Sequence, residues 1–488
     1  MIKKYTKNMI ASTISNVELS PHQQKVLHQF KDFIKNKEQR VFILRGYAGT
    51  GKTTLVRFFI KELFQSEINY KLMASTGRAA KVLTNFTSAT ASTIHSVIYN
   101  FKDFNQDLEE IVRQEDTMGV EKSGQLYLTF ELLSVTHDYD QVVYIVDEAS
   151  MISDIKDKNV NQAIFGSGKL LSDLMNYDKK GKFVFVGDES QLPPIEQSIS
   201  PALSVDYFKQ NFNINATEST LTEIIRQQQD NTIITASHRI RKLYQNPPKV
   251  KWGILPLGKY HHIQLHSDVV AMINTYLSLI VKKNYQNATF IAYSNSKCNN
   301  INTLIRTSLG MKNGIQEGDL LLVTQNNLIS GFMNGDIVVV EQVKNTCIQK
   351  AQLTFQLVEV RELVTGRRYS QFIIVDVLQG NFTNLNQAQQ KALFVDFYRR
   401  MKAIGLNQYD SSFKDMLYKD VYLNALRCVY GYAITCHKAQ GGEWNEVCID
   451  IPRNLTLNAT SAAYQWIYTA ITRAKKRLHI VKDFYIGP

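Results

Sequence analysis

Residues 41–54 read VFILRGYAGTGKTT. The first six are a short apolar run closed by glycine, which predicts a buried strand. From Gly46 the chain spells G-Y-A-G-T-G-K-T, matching GxxxxGK[ST] at every fixed position, and a helix is expected from Lys52. Strand, glycine-rich loop and helix in that order make a cradle for the phosphates of a nucleotide. Gly46, Gly49 and Gly51, with Thr50 between them, let the backbone turn its N–H groups onto an anion. The helix start adds a favourable dipole. Lys52 is placed to reach the β- and γ-phosphates, the Thr53 hydroxyl to hold Mg²⁺, and Thr54 completes the phosphate-binding run. ATP and Mg²⁺ are the ligands this reading implies.

Outward from the loop the same alternation repeats. LSPHQQKVLHQFKDFI (19–34) carries Val26, Leu27, Phe30 and Phe33 at helical spacing. KLMAST (71–76), VVYIVDEAS (142–150) and FVFVGDES (183–190) are apolar runs that end in polar loops. Strand alternating with helix indicates an α/β fold with a largely parallel sheet, and such sheets bind ligands at the carboxyl ends of their strands. At those ends stand Asp147 and Glu148, an acid pair suited to holding Mg²⁺ and polarising an attacking water. On its own, such a pair is as readily a solvated turn; the loop at 46–53 tips the reading. Gln191, in GDESQLPPI, is placed to touch a γ-phosphate or its water, while Pro193-Pro194 stiffens that loop.

The chain of 488 residues is too long for one domain, and its 44% hydrophobic content supplies several cores. A net charge of +12, scattered in pairs such as Lys282-Lys283 and Arg399-Arg400, suits a long groove for a polyanion. The five cysteines form no CxxC pair, which points to reduced thiols and a cytoplasmic setting, with no zinc site. The opening residues are not a signal peptide, and no apolar run reaches the length of about 18 residues that a membrane span needs. Residues 317–378 hold four strand-like runs with a turn at Asn334-Gly335, the pattern of a small β-barrel or sheet. Residues 97–141 break the rhythm as a charged, aromatic insert.

Nine strings occur in a fixed order: LSPHQQ, GYAGTGKTT, ASTGRAAKVL, STIHS, VDEASM, GDESQLPPI, LTEIIRQ, HKAQGGEW and YTAITRA. Together they resemble the superfamily 1 helicases, and more closely the 5′→3′ B-type branch of RecD-like and phage Dda-like helicases, from about Leu19 to Leu478. The resemblance implies two RecA-like P-loop domains with inserted subdomains, one of them a small SH3-like barrel. It implies a polar leader at 1–18 and a first RecA-like domain at 19–230, with the insert 97–141 as a strand-separating pin. The second domain would begin at 231–310, carry a β-rich plus helical insert at 311–425, and finish at 426–488.

Matched positions imply roles. Gln23 would read the adenine, and Arg226 and Arg473 would touch the γ-phosphate. Gly442 would lie against the nucleotide. Thr76, His95, Thr435 and His437 would grip the strand, and Tyr127 and Phe130 are candidates for the pin's aromatic tip, with packing of the insert's own core as the alternative. The implied activity is 5′→3′ unwinding driven by ATP, on single-stranded and forked DNA. Replication or recombination proteins are the implied partners; no membrane and no oligomer is required. An RNA helicase of the same superfamily, or a nucleic-acid-binding ATPase that does not unwind, remain the alternatives.

Overall fold

The computed structural model describes residues 18–118, 126–135, 141–156, 163–223, 231–380 and 382–488. Its first parallel sheet runs, in spatial order, Ala91–Thr93, Asn69–Ala74, Val142–Asp147, Lys182–Gly187, Val41–Gly46 and Thr217–Leu221. The central strands read as unbroken apolar runs because both faces are covered. Ile43, Tyr144, Val146, Phe183 and Phe185 enter one core, and Phe42, Leu44, Val143, Ile145 and Val184 the other. Helix Pro21–Lys35 starts with a reciprocal cap between Ser20 and Gln23. It buries Val26, Phe30 and Phe33, with Phe30 stacked 3.9 Å from Phe59 of helix Lys52–Gln65.

A second parallel sheet has the order Ile263–His266, Ala474–Val481, Trp444–Ile449, Ala288–Ala292 and Ala433–Thr435. Helix Ser461–Ile471 belongs to this half and is buried along nearly its whole length. It packs against helix Thr232–Gln245 and lies over the first half of the molecule.

The β-rich insert is a five-stranded antiparallel sheet in the order Arg368–Ile374, Leu353–Glu362, Ile337–Lys350, Leu320–Val323 and Cys428–Tyr430. Asn334-Gly335 does form a turn, with Gly335 at φ 96° and Asp336 N–H bonded to Met333 O at 2.9 Å. Among the described residues the expected barrel is not closed by a strand pair; Leu426, just before the last strand, makes an isolated bridge to the first through backbone bonds with residues 372 and 374.

The insert of the first half holds strand Tyr99–Phe104, paired antiparallel with Leu128–Leu132, which pairs in parallel with Ala163–Phe165. Helix Leu108–Met118 lies between the first two strands, so they are not joined by a tight turn. This sheet is not isolated. Phe101, Phe104, Leu108 and Ile111 share one apolar core with Leu393, Phe394, Phe397 and Leu417, and Phe104 meets Phe394 edge-on at 5.2 Å.

Candidate functional site

Strands 41–46, 142–147 and 182–187 all end at one edge of the first sheet, and three loops meet there. In the first loop Gly49 and Gly51 stand at φ 82° and 81°, which a side chain resists. A Cβ on Gly46 would sit 2.8 Å from the Thr50 hydroxyl and 2.9 Å from Lys52 Cγ. The turn is tied by Thr50 Oγ1 donating to Tyr47 O at 2.8 Å. Lys52 Nζ donates to Gly46 O at 2.6 Å and to Tyr47 O at 3.2 Å, folded back over the cradle it would share with a phosphate. Thr53 and Thr54 follow half-buried in the first helical turn. Gln23 is 2% exposed and spends its amide locally: Nε2 donates to Thr50 O at 3.3 Å, and Oε1 accepts from Ser20 N–H at 3.2 Å. It thus braces the phosphate loop directly.

In the second loop Asp147 accepts the Glu148 N–H at 2.9 Å. Burial and then the neighbouring Glu148 carboxylate push the Asp147 acid up to about 7, with Lys52 opposing. Glu148 has φ 51°, a left-handed conformation that side chains other than glycine rarely adopt. Strain of this kind is kept where it aims a functional group. Two crowded acids beside a lysine form a site that a divalent cation would relieve.

The third loop carries Gln191, 4% exposed, whose Oε1 is buried with no hydrogen-bond partner. A buried acceptor of this kind can receive a hydrogen bond from a donor such as water. The second half of the molecule grips this loop at four points. Gln465 Nε2 donates to Glu189 O at 3.2 Å and Gln440 Nε2 to Leu192 O at 3.2 Å. Thr469 Oγ1 accepts from Leu192 N–H at 2.9 Å, and the Tyr468 hydroxyl donates to Asp188 Oδ2 at 2.7 Å.

The arginines are distributed differently from their expected roles. Arg226 lies outside the described residues. Arg473 is 5% exposed and bonded within its own half, from Nε to Thr469 O at 3.0 Å, Nη1 to Gly442 O at 3.4 Å and Nη2 to the Thr472 hydroxyl at 3.1 Å. The guanidinium that lies on the phosphate loop is Arg241, 3.4 Å above the Tyr47 ring, with Nε and Nη1 buried and unpartnered. Arg78 crosses in the other direction. It stacks 4.2 Å over Trp444, and a Cβ on Gly442 would meet its Cζ at 2.6 Å, so Gly442 is held by two arginines. Neither Arg241 nor Arg78 was singled out from sequence. The run HRIRK (238–242) held the only signal for Arg241, three cations on one short helical stretch.

The residues expected on nucleic acid separate into groups. Thr76 caps helix Gly77–Thr87, its hydroxyl accepting from Ala79 N–H at 3.2 Å and keeping its own proton to donate. Thr435 ends its strand and precedes the short helix Cys436–Ala439. His437 lines a cleft of about 760 Å³ between the two halves, with Pro193, Ile195, Ile199, Tyr244 and Gln465. Ile195 is 73% exposed, apolar surface left in the same cleft as His437. His95 packs 5.1 Å from Phe165 and 5.7 Å from Tyr99, and burial holds its imidazole down to about 4. It is therefore neutral near pH 7 and offers no charge to a phosphate. Phe130 is half-buried, stacked on Phe165 at 4.6 Å and packed against Phe101 at 5.7 Å, at the edge of the insert's core. Tyr127 is half-buried next to Asn105, which accepts the Tyr127 N–H at 2.6 Å.

Residues 18–246 match the family model described as an AAA domain, and residues 430–481 the one described as a UvrD-like helicase C-terminal domain. The chain is similar to the RecBCD enzyme subunit RecD of Buchnera aphidicola, 22% identical over 477 residues, or 91% of this chain and 71% of that protein. It is 28% identical over 237 residues to the ATP-dependent RecD2 DNA helicase of Deinococcus radiodurans, 48% of this chain and 25% of that protein. The ATP-dependent DNA helicase dda of Enterobacteria phage T4 is 38% identical over 82 residues, 17% of this chain and 18% of that protein. Among solved structures, the Pif1 helicase from Bacteroides in complex with ADP-AlF3 and ssDNA aligns over 97% of this chain and 95% of its own, at 17% identity and a TM-score of 0.49.

Proposed function

We propose that this chain, which belongs to the B-type branch of the superfamily 1 helicases, is an ATP-dependent DNA helicase that moves 5′→3′ along one strand and separates the duplex ahead of it. The observation that carries this reading is the meeting of a phosphate cradle, an acid pair and an unpartnered Gln191 in one half with a clamping helix from the other half. Turnover at such a site is tied to the relative position of the halves.

Each group has a task in this reading. Lys52 and the backbone of residues 46–53 hold the phosphates. Thr53 and Asp147 would hold Mg²⁺, which would supply charge to neutralise the phosphates. Glu148 takes a proton from the attacking water, and Gln191 Oε1 fixes that water's orientation. Arg241, Arg226 and Arg473 stand as candidate cations for the charge that develops in transfer. Thr76 on one half, and Thr435 and His437 on the other, grip the strand in turn as the halves close and part. Gln23 serves the adenine side of the loop that it braces. The antiparallel sheet at 320–374 and 428–430 we read as the branch's SH3-like subdomain, and the insert at 97–141 as its pin. Single-stranded and forked DNA are the substrates.

The test is ATP turnover with and without single-stranded DNA, and with RNA of the same sequence. The wild-type chain is expected to turn over ATP strongly only with DNA. Lys52→Ala should abolish turnover, and Glu148→Gln should retain ATP binding while losing hydrolysis. Turnover that ignores DNA, or survives in Glu148→Gln, would contradict the assignment.

A further inference from the structure

One hydroxyl reaches from the second half into both the phosphate loop and the Gln191 loop. Tyr468 is fully buried in the last turn of helix Ser461–Ile471, which ends just before Arg473. Its oxygen accepts the Ala48 N–H at 3.1 Å and donates its proton to Asp188 Oδ2 at 2.7 Å. Asp188 in turn folds its own loop: Oδ1 accepts the Ser190 N–H at 2.9 Å, and its carbonyl accepts the Gln191 N–H at 3.1 Å. The path from Ala48 through Tyr468 and Asp188 to Gln191 is therefore continuous. Among the described residues, no other hydrogen bond joins the phosphate loop to the second half.

We propose that Tyr468 is a positioning residue for ATP hydrolysis, setting the Gln191 carbonyl through Asp188 according to the state of the phosphate loop. Ala48 belongs to the loop that would wrap the phosphates, so a nucleotide there changes what its N–H bonds to. The tyrosine oxygen registers that change, and the buried Asp188 carboxylate, 1% exposed, passes it to the loop that holds Gln191. The three companion bonds from Gln440, Gln465 and Thr469 hold the loop to the second half but do not touch the phosphate loop. They are the frame, and Tyr468 is the contact that changes with the nucleotide. The inference rests on the helicase reading, because it assumes turnover at this site.

The experiment compares wild type, Tyr468→Phe, Gln191→Ala and the double variant in DNA-stimulated ATP turnover. Phenylalanine keeps the ring and removes only the hydroxyl. Loss of a hydrogen bond to a carboxylate is expected to lower kcat about tenfold or more, with little change in the KM for ATP and an unchanged Tm. Because Tyr468 acts through Gln191, the double variant should be no slower than Gln191→Ala alone. Should Tyr468→Phe melt early, Asp188→Asn with the tyrosine ring in place serves in the same comparison. Wild-type turnover with Tyr468→Phe at the wild-type kcat, or effects of the two changes that multiply, would overturn this inference alone. Wild-type protein with no DNA-stimulated turnover would overturn the helicase reading and this inference together.

Discussion

At the scale of single residues, the proposed chemistry falls on two side chains in unusual settings. Glu148 holds a left-handed backbone and Gln191 a buried, unpartnered carbonyl, both at the carboxyl edge of the first sheet. His95 shows how neighbours change a residue's meaning. In sequence it stands where a strand-gripping side chain is expected, but folding places it against Phe165 and Tyr99 and depresses its pKa from 6.5 to about 4. The sign of the consequence follows. Between those two values the unfolded chain binds a proton that the folded chain excludes, so stability falls as pH drops through that window. His95→Phe, which fills the same aromatic niche with nothing to protonate, should therefore lose less stability than wild type between about pH 7.5 and pH 5.5. Urea midpoints at the two pH values check this; equal losses in both proteins would show that His95 titrates freely.

Among the elements, what was legible followed the range of the contacts. The strand at 41–46 and the helix from Lys52 appear where the sequence puts them, because apolar runs, glycines and capping are local signals. The Asn334-Gly335 turn and the long strands around it were readable for the same reason. The loop from Gly46, the Asp147-Glu148 pair and the loop carrying Gln191 follow strands of the first sheet, as their apolar runs and motif spacing predict. Arg241 on Tyr47, Arg78 on Trp444 and Tyr468 on Ala48 were not, since each joins segments hundreds of residues apart with no local pattern. The insert was misleading in a similar way: its alternating aromatics mark strands, but the core they fill is completed by Phe394 and its helix Gln387–Ala403. That arrangement bears on the pin. Tyr127→Ala with Phe130→Ala should lower the Tm and reduce unwinding, DNA-stimulated ATP turnover and translocation together, because Phe130 packs against Phe165 and Phe101 and both residues are half-buried. Lost unwinding at a normal Tm, with turnover and translocation retained, would instead make these rings the separating tip.

Across the whole molecule, the two halves meet at the clamped Gln191 loop, at the phosphate loop through Tyr468 and Arg241, and where Arg78 stacks on Trp444, while their inserts meet at Phe104 and Phe394. In the proposed cycle, closing and parting of the halves works against these contacts, which ties ATP turnover to motion along the strand. The +12 net charge belongs to this scale: it favours a phosphate backbone without selecting a sequence. The central claim is directional unwinding, and strand displacement on two partial duplexes, one with a 5′ single-stranded tail and one with a 3′ tail, tests it most directly. With ATP and Mg²⁺ present, the protein is expected to release the strand from the 5′-tailed substrate and leave the 3′-tailed one paired. Efficient release from the 3′-tailed substrate alone would contradict the account.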